Sequence, residues 1–461
     1  MLQCISPVDG SIYIERPHAT DAETAAALER AHDATSAWKE TPVSERAAFC
    51  AAMVDAFVAD AEVHAEELAW QMGRPIRYGK GEVSGFEERA RCMIGMAEDA
   101  LRDIELAEKP GFLRFIRREP LGVVLTVAPW NYPYLTAVNS IIPALMAGNA
   151  VILKHSHQTP LCAERLGDAA QRANLPDGVF QYLHLSREQT TRLIGAPEIS
   201  AVSFTGSVPG GIQMEKAASG RFIGVGLELG GKDPAYVRPD ADLDHAVENL
   251  VDGAFFNSGQ SCCGIERIYV HDDVYDPFVD AFVELTRKYV LGNPLDTETT
   301  LGPMVRTSAA DWVRSQIAEA TEGGARGLID PSAFSEHRDE ESPYLAPQVL
   351  VDVDHSMRVM IEESFGPVVG IMRVRSDDEA IHWMNDSEFG LTASIWSQDT
   401  DTSLVLGDRI ETGTVFLNRC DYLDPELAWT GVKNSGRGCS LSSLGYEQLT
   451  RPKSFHFRTQ T

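Results

Sequence analysis

Between Leu121 and Ala218 the chain alternates short apolar runs with segments of helical spacing. The runs Leu121–Val127, Ala150–Lys154, Val179–Leu183 and Ala201–Phe204 are strand-length and buried in character. Pro133 to Ala147, Leu161–Ala173, Glu188–Ile194 and Gly211–Ala218 follow them as helices, with apolar residues three and four apart. Such alternation predicts a parallel, doubly wound sheet, because each crossover must return the chain to the same end. A second alternation runs from Ile223 to about Thr414. It takes in Pro234–Val237, Leu243–Phe256, Arg267–Val270, Val274–Val290, Ala309–Glu322, Gln348–Val353, Val368–Arg373, Asp377–Asn385 and Ala393–Trp396. At 461 residues the chain exceeds one compact core. The expected fold class is therefore α/β, with two doubly wound parallel-sheet domains.

The N-terminal part reads as helices over Ala22–Ala37, Ser44–Ala59, Ala61–Met72 and Gly85–Leu101, with Asp21, Ser44 and Asp60 as N-caps and a break at Arg74-Pro75. Residues 111–118 alternate like a half-exposed strand, and so does the tail Ser454–Arg458. The two are candidates to pair, within or between subunits. Residues 330–343 read as a polar loop.

Ligands on parallel sheets bind beyond the carboxyl ends of the strands. The turns Pro129–Asn131, Lys154–Ser156 and Thr205–Ser207 are where chemistry is expected. Ala254–Gly264 holds another: an apolar run stops at Asn257, a small-residue turn follows, and Cys262 and Cys263 sit just past it. A thiol on such a turn is placed to ionise and react, whereas free cysteines are as often core residues. Glu228 stands after a strand and before a glycine pair, either as a buried base of raised pKa or as a partner of Lys232. Asn131, in Trp-Asn-Tyr-Pro, is an amide donor for an oxyanion or a turn-former. There is no GxGxxG loop, but Gly206, Ser207 and Gly211 open a helix whose free N–H groups suit a pyrophosphate. His155 and His157, two apart, lack the further ligands a metal needs.

The formal charge of −28 argues against nucleic acid or an anionic membrane as partner. No signal-peptide pattern and no apolar run of membrane-spanning length is present. Eight cysteines without a CxxC pair suit a reducing cytoplasm.

Taken together, Pro129-Trp-Asn-Tyr-Pro133, Lys154, Phe204-Thr-Gly-Ser207, Glu228-Leu-Gly-Gly-Lys232, Asn257-Ser-Gly-Gln-Ser-Cys262, Glu363-Ser-Phe-Gly-Pro367 and Gly431-Val-Lys-Asn-Ser-Gly436 resemble the aldehyde dehydrogenase superfamily, in its order and over nearly the whole chain. The resemblance is to the non-acylating, short semialdehyde-type branch. It implies a variant Rossmann cofactor domain (1–108 and 125–228), a catalytic thiol domain (229–415) and a β oligomerisation flap (109–124 and 440–461). It implies Cys262 as nucleophile, Glu228 as general base, and Asn131 with the Cys262 N–H as oxyanion hole. Lys154 and Glu363 would hold the riboses of NAD or NADP, Ser207 the pyrophosphate, with Trp130 and Phe365 beside the cofactor. Cys263 would be a neighbour only. The product would be the carboxylic acid, by way of a hemithioacetal and a thioester, in a homodimer or homotetramer.

Two departures bear on specificity. His157 stands where the family often has a ribose-binding glutamate, which leaves room for a 2′-phosphate and hence for NADP. His184-Leu-Ser-Arg187 replaces glycines of the phosphate region. The substrate pocket is expected from Tyr132, Thr136, Asn139, Phe256, Ser261, Leu423 and Trp429, with no clear arginine to anchor a dicarboxylic semialdehyde. Asp421, Asp424 and Glu426 read as a solvated loop or as a site for a cationic aldehyde. Competing functions are a thiol hydrolase or esterase without net redox, a coenzyme A-acylating dehydrogenase, against which Glu228 argues, and a non-catalytic member of the fold.

Overall fold

A computed structural model describes residues 1–338 and 340–460. One sheet has six strands, in the order Gly436–Arg437, Gly224–Glu228, Ile199–Thr205, Val123–Val127, Ala150–Lys154 and Phe180–Tyr182. The last five pair in parallel, and Gly436–Arg437 closes the edge antiparallel. Every residue of Val123–Val127 is buried, as a central strand covered on both faces requires.

The second sheet has seven strands: Arg326–Gly327, Gln348–Val351, Val368–Val374, Ile265–His271, Asp233–Val237, Thr392–Trp396 and Thr414–Leu417. All pairings but the first are parallel. Pro234 lies in a central strand, and a register shift beside it absorbs the missing N–H. A third sheet joins Thr450–Arg458 to Phe112–Pro120 and Ile104–Glu105, so the tail strand pairs within its own chain.

Several expected boundaries move. Thr20, not Asp21, caps the first helix, Asp21–Trp38, and forms a reciprocal capping box with Glu23. The second helix, Val43–Val58, starts after Pro42 rather than at a Ser44 cap, and Asp60 makes no side-chain cap. The fourth helix runs unbroken over Ile76–Ala100. Its glycines hide its first half in the sequence, yet Gly79 is needed for helix packing, since a Cβ there would lie 2.5 Å from the Ala65 Cβ. The hairpin Leu2–Ile5 with Ile12–Arg16, the helix Thr400–Gly407 and the strand Thr414–Leu417 were not expected.

Candidate active site

The turn before Cys262 is strained. Asn257, Ser258 and Gly259 follow one another at φ 53°, 58° and 68°, in the left-handed region. Only glycine fits the third position, because a Cβ there would lie 2.2 Å from the Gly366 carbonyl oxygen. The turn ends the helix Leu243–Phe255 abruptly and presents Cys262 half-buried, while Cys263 is buried at 3 % exposure. Asn257 Nδ2 donates to the carbonyls of Asn131 (3.1 Å) and Gln260 (3.2 Å), so the turn is bonded to the Trp-Asn-Tyr-Pro segment.

Glu228 is the last residue of Gly224–Glu228. Its Oε2 accepts from Thr205 Oγ1 at 3.1 Å, and its Oε1 from Ser440 Oγ. Burial pushes its carboxyl above the ordinary glutamate range against both bonds. Lys232 is not its partner: the Lys232 ammonium donates to Glu266 at 2.5 Å and to Ser364 at 3.0 Å. Beyond Glu228 the chain lies against the nucleophile turn. A Cβ on Gly231 would lie 2.2 Å from the Cys262 carbonyl oxygen, and one on Gly230 2.5 Å from Glu363 Oε1. These contacts bring Glu228 and Cys262 to a single cleft of about 600 Å³.

Asn131 is buried and does not line that cleft; its side-chain amide donates to the Gln260 carbonyl at 3.2 Å, two residues ahead of Cys262. Tyr132, Thr136, Phe256, Ser261, Leu423 and Trp429 all line the cleft, as does Asn139. The Tyr132 hydroxyl is buried, and the Arg74 guanidinium lies 4.6 Å over its ring.

The expectation of a pocket without arginine is overturned. Arg74, Arg77 and Arg89 line the cleft from the N-terminal helices. Arg74 is committed: it pairs with Glu82 and donates to the Asn131 carbonyl at 2.6 Å. Among the described residues Arg89 donates to neutral acceptors, the Leu135 carbonyl at 2.7 Å and Asn139 Oδ1 at 3.3 Å. Asp421, for which the sequence left a solvated loop or a site for a cationic aldehyde, lines the cleft rather than the surface, and burial lifts its carboxyl to about 7. The sequence held one signal for Arg89: Glu82 and Arg89 fall seven apart on the apolar stripe of one helix, where charges have no structural business.

The cofactor residues gather on the other side of the turn. Trp130 and Phe365 rings meet edge to face at 5.7 Å, with Phe365 held at φ 50° by Glu266, which accepts from its N–H at 2.8 Å. Glu363 accepts from the Gly231 N–H at 2.9 Å, and burial raises its carboxyl to about 8. Lys154 ends its strand desolvated, its ammonium lowered to about 8. His157 bonds the Leu185 carbonyl at 2.8 Å and stacks on His18 at 5.6 Å. Ser207 caps the helix Val208–Ala218, accepting from the Gly210 N–H at 3.3 Å. Cβ atoms on Gly206 and Gly211 would each meet a side chain at 2.7 Å, Phe204 and Leu229. A helix start lined by small residues, a desolvated lysine and a carboxyl of raised pKa suit a dinucleotide's phosphates and ribose hydroxyls.

A half-exposed thiol and a protonatable carboxyl on one cleft, beyond the ends of a parallel sheet, define a thiol enzyme of the α/β class. The comparisons with known proteins narrow this. The aldehyde dehydrogenase family model matches residues 1–455. Succinate-semialdehyde dehydrogenase [NADP(+)] 1 of Mycobacterium tuberculosis is 35% identical over 451 residues, covering 97% of this chain and 98% of that one. The structure of succinic semialdehyde dehydrogenase from Streptococcus pyogenes, in complex with NADP+, superposes with a TM-score of 0.94 at 29% identity, over 99% of this chain and 100% of that one. An NAD-dependent aldehyde dehydrogenase from Sinorhizobium meliloti reaches 0.95 at 31% identity, over 100% and 92%. The chain belongs to the aldehyde dehydrogenase family. It is an NAD(P)-dependent enzyme that oxidises aldehydes.

Proposed function

We propose that Cys262 attacks the aldehyde carbon and that Glu228 serves as the base that releases the acid. The observation that carries this is their shared cleft. A thiolate adds to the carbonyl carbon, and the oxygen charge that develops is met by the Cys262 N–H and the Asn131 amide, which turns from the Gln260 carbonyl toward it. A dinucleotide held by Lys154, Glu363 and Ser207 would supply the acceptor for the hydride of that carbon. The remaining thioester sits on Cys262. Glu228, in its carboxylate form, takes a proton from water, and the hydroxide adds to the thioester carbon and expels the Cys262 thiolate. The raised pKa makes Glu228 a stronger base than an exposed glutamate.

The relatives named for succinate semialdehyde support a substrate with a distal carboxylate. Arg89 is its anchor: among the described residues its hydrogen bonds go to neutral acceptors, while Glu228 and Glu88 are near enough to feel its charge without bonding it. NADP+ is accepted alongside NAD+: no carboxylate stands at His157 to repel a 2′-phosphate. We assign residues 1–108 and 125–228 to cofactor binding, 229–415 to catalysis, and the flap of 109–124 and 440–461 to a homodimer or homotetramer. Eight free thiols suit a cytoplasmic setting. The test is a panel of aldehydes assayed with both cofactors. Succinate semialdehyde should exceed butanal in kcat/KM, and NADP+ should support turnover at least as well as NAD+. Equal rates on both aldehydes remove the carboxylate reading. Strict dependence on NAD+ removes the reading of His157.

A further inference from the structure

We propose that Asp421 is a positioning residue for the nucleophile: one of its carboxylate oxygens takes hydrogen bonds from the side chains on both sides of Cys262, fixing the thiol that attacks and holding its neighbour out of the reaction. Ser261 Oγ donates to Asp421 Oδ1 at 3.2 Å, and Cys263 Sγ donates to the same oxygen at 2.9 Å. These are residues one before and one after Cys262, on a turn that already carries three successive left-handed residues. Asp421 itself sits at φ 49°, a strained conformation that persists only where the surroundings hold it.

The loop that carries Asp421 is anchored below it. Asn418 bonds both polar groups of the Ser397 backbone, at 2.8 and 2.9 Å, and the Cys420 sulfur packs so closely on Gly253 that a Cβ there would lie 2.6 Å away. The loop therefore fastens the nucleophile turn to the seven-stranded sheet. Asp252, Arg74, Arg89, Tyr132 and Cys420 also face this carboxylate, and its two hydrogen-bond donors are uncharged.

Two adjacent thiols pose a problem of selection that this bond addresses. The thiolate is the nucleophile, and a thiol that donates to a carboxylate stays protonated. A hydrogen bond with Cys262, then burial and the charge of Asp421, hold the Cys263 thiol well above its ordinary pKa. Were Cys263 free, a thioester on Cys262 would migrate. The carbonyl carbon would leave the Cys262 sulfur for the Cys263 sulfur, and the Cys263 proton would pass to Cys262. The acyl group would then sit on the sulfur of a residue only 3 % exposed, at the buried wall of the cleft.

The proposal rests on Cys262 as the nucleophile, and its test separates the two. The full-length enzyme is acylated with p-nitrophenyl acetate or alkylated with iodoacetamide, and the label is mapped by mass spectrometry. In the wild type it should lie on Cys262; a label absent from Cys262 refutes the nucleophile assignment, and this proposal with it. In Asp421→Ala the acylation rate should fall about 10- to 100-fold, as misplacement of a reacting group commonly costs. The label should divide between Cys262 and Cys263, and NADP+ affinity should stay within about twofold. A wild-type rate with label confined to Cys262 overturns the role of Asp421 alone. If the alanine chain does not fold, Ser261→Ala/Cys263→Ala removes the same two bonds from the other side. The same fall in acylation rate is then expected, and an unchanged rate overturns the proposal.

Discussion

Arg89 acts as an anchor because of what it lacks. A buried guanidinium normally meets a carboxylate, as Arg74 meets Glu82. Arg89 is 9 % exposed and, among the described residues, bonds one carbonyl and one amide oxygen; Glu228, Glu88 and Asp421 feel its charge without bonding it, which leaves its N–H groups open to a ligand carboxylate. Arg89→Met keeps the length of the side chain and removes the charge. It should raise KM for succinate semialdehyde about 10- to 100-fold, the loss of a charged hydrogen bond of roughly 1.5–3 kcal/mol, and leave butanal within about threefold. Steady-state kinetics on the two aldehydes checks this. Glu228 and Glu363 belong to the same scale: burial makes each a weaker acid, which gives Glu228 a proton affinity suited to water activation and Glu363 a neutral face toward hydroxyl groups.

At the scale of elements, three segments distant in sequence meet at backbone contact. The Gly230-Gly231 pair, the turn Asn257–Cys262 and the turn Glu363–Pro367 leave no space for side chains between them. Gly231→Ala would push a methyl group into the Cys262 carbonyl. We expect a stability loss of about 1–3 kcal/mol from overpacking, seen as a lower Tm, with slower alkylation of Cys262. A substitution tolerated at wild-type Tm and alkylation rate would mean the segments are not held together there. Much of this was legible beforehand. Strand ends at Lys154, Thr205 and Glu228, and the turn before Cys262, announce themselves through abrupt changes of periodicity and small residues. Thr20 was passed over as a cap because Asp21 is an equally good one by type. The first half of Ile76–Ala100 was lost to its glycines; Arg89 lay within the expected helix Gly85–Leu101, but that it faces the cleft was not read. Asp421 could not be placed, because its burial depends on a loop closing over a turn some 160 residues earlier. Motif and periodicity report local neighbours, and the unread contacts of Arg89 and Asp421 are with distant ones.

For the whole molecule, the three-stranded flap sets the expected assembly. Leu113 and Phe457 are register partners on it and stand 50 % and 54 % exposed, with Ile104 also exposed at 41 %. Apolar side chains paired on a projecting sheet fit burial against another copy. Leu113→Asp/Phe457→Asp should shift the enzyme to a smaller species in light scattering, with the fold retained by circular dichroism; an unchanged mass would place the contact elsewhere. The chain also carries a charge of −28, so such contacts should tighten as salt screens the repulsion.

The pairing of a sulfur nucleophile with a carboxylate base is tested most directly by stopped-flow absorbance of the reduced cofactor in Glu228→Gln. Hydride transfer precedes the step assigned to Glu228. The variant should therefore release about one equivalent of reduced cofactor per site at the wild-type rate, then turn over about 10²- to 10⁴-fold more slowly, the usual contribution of a general base. Steady turnover at the wild-type rate, or loss of the first equivalent together with turnover, would contradict the division of labour between Cys262 and Glu228.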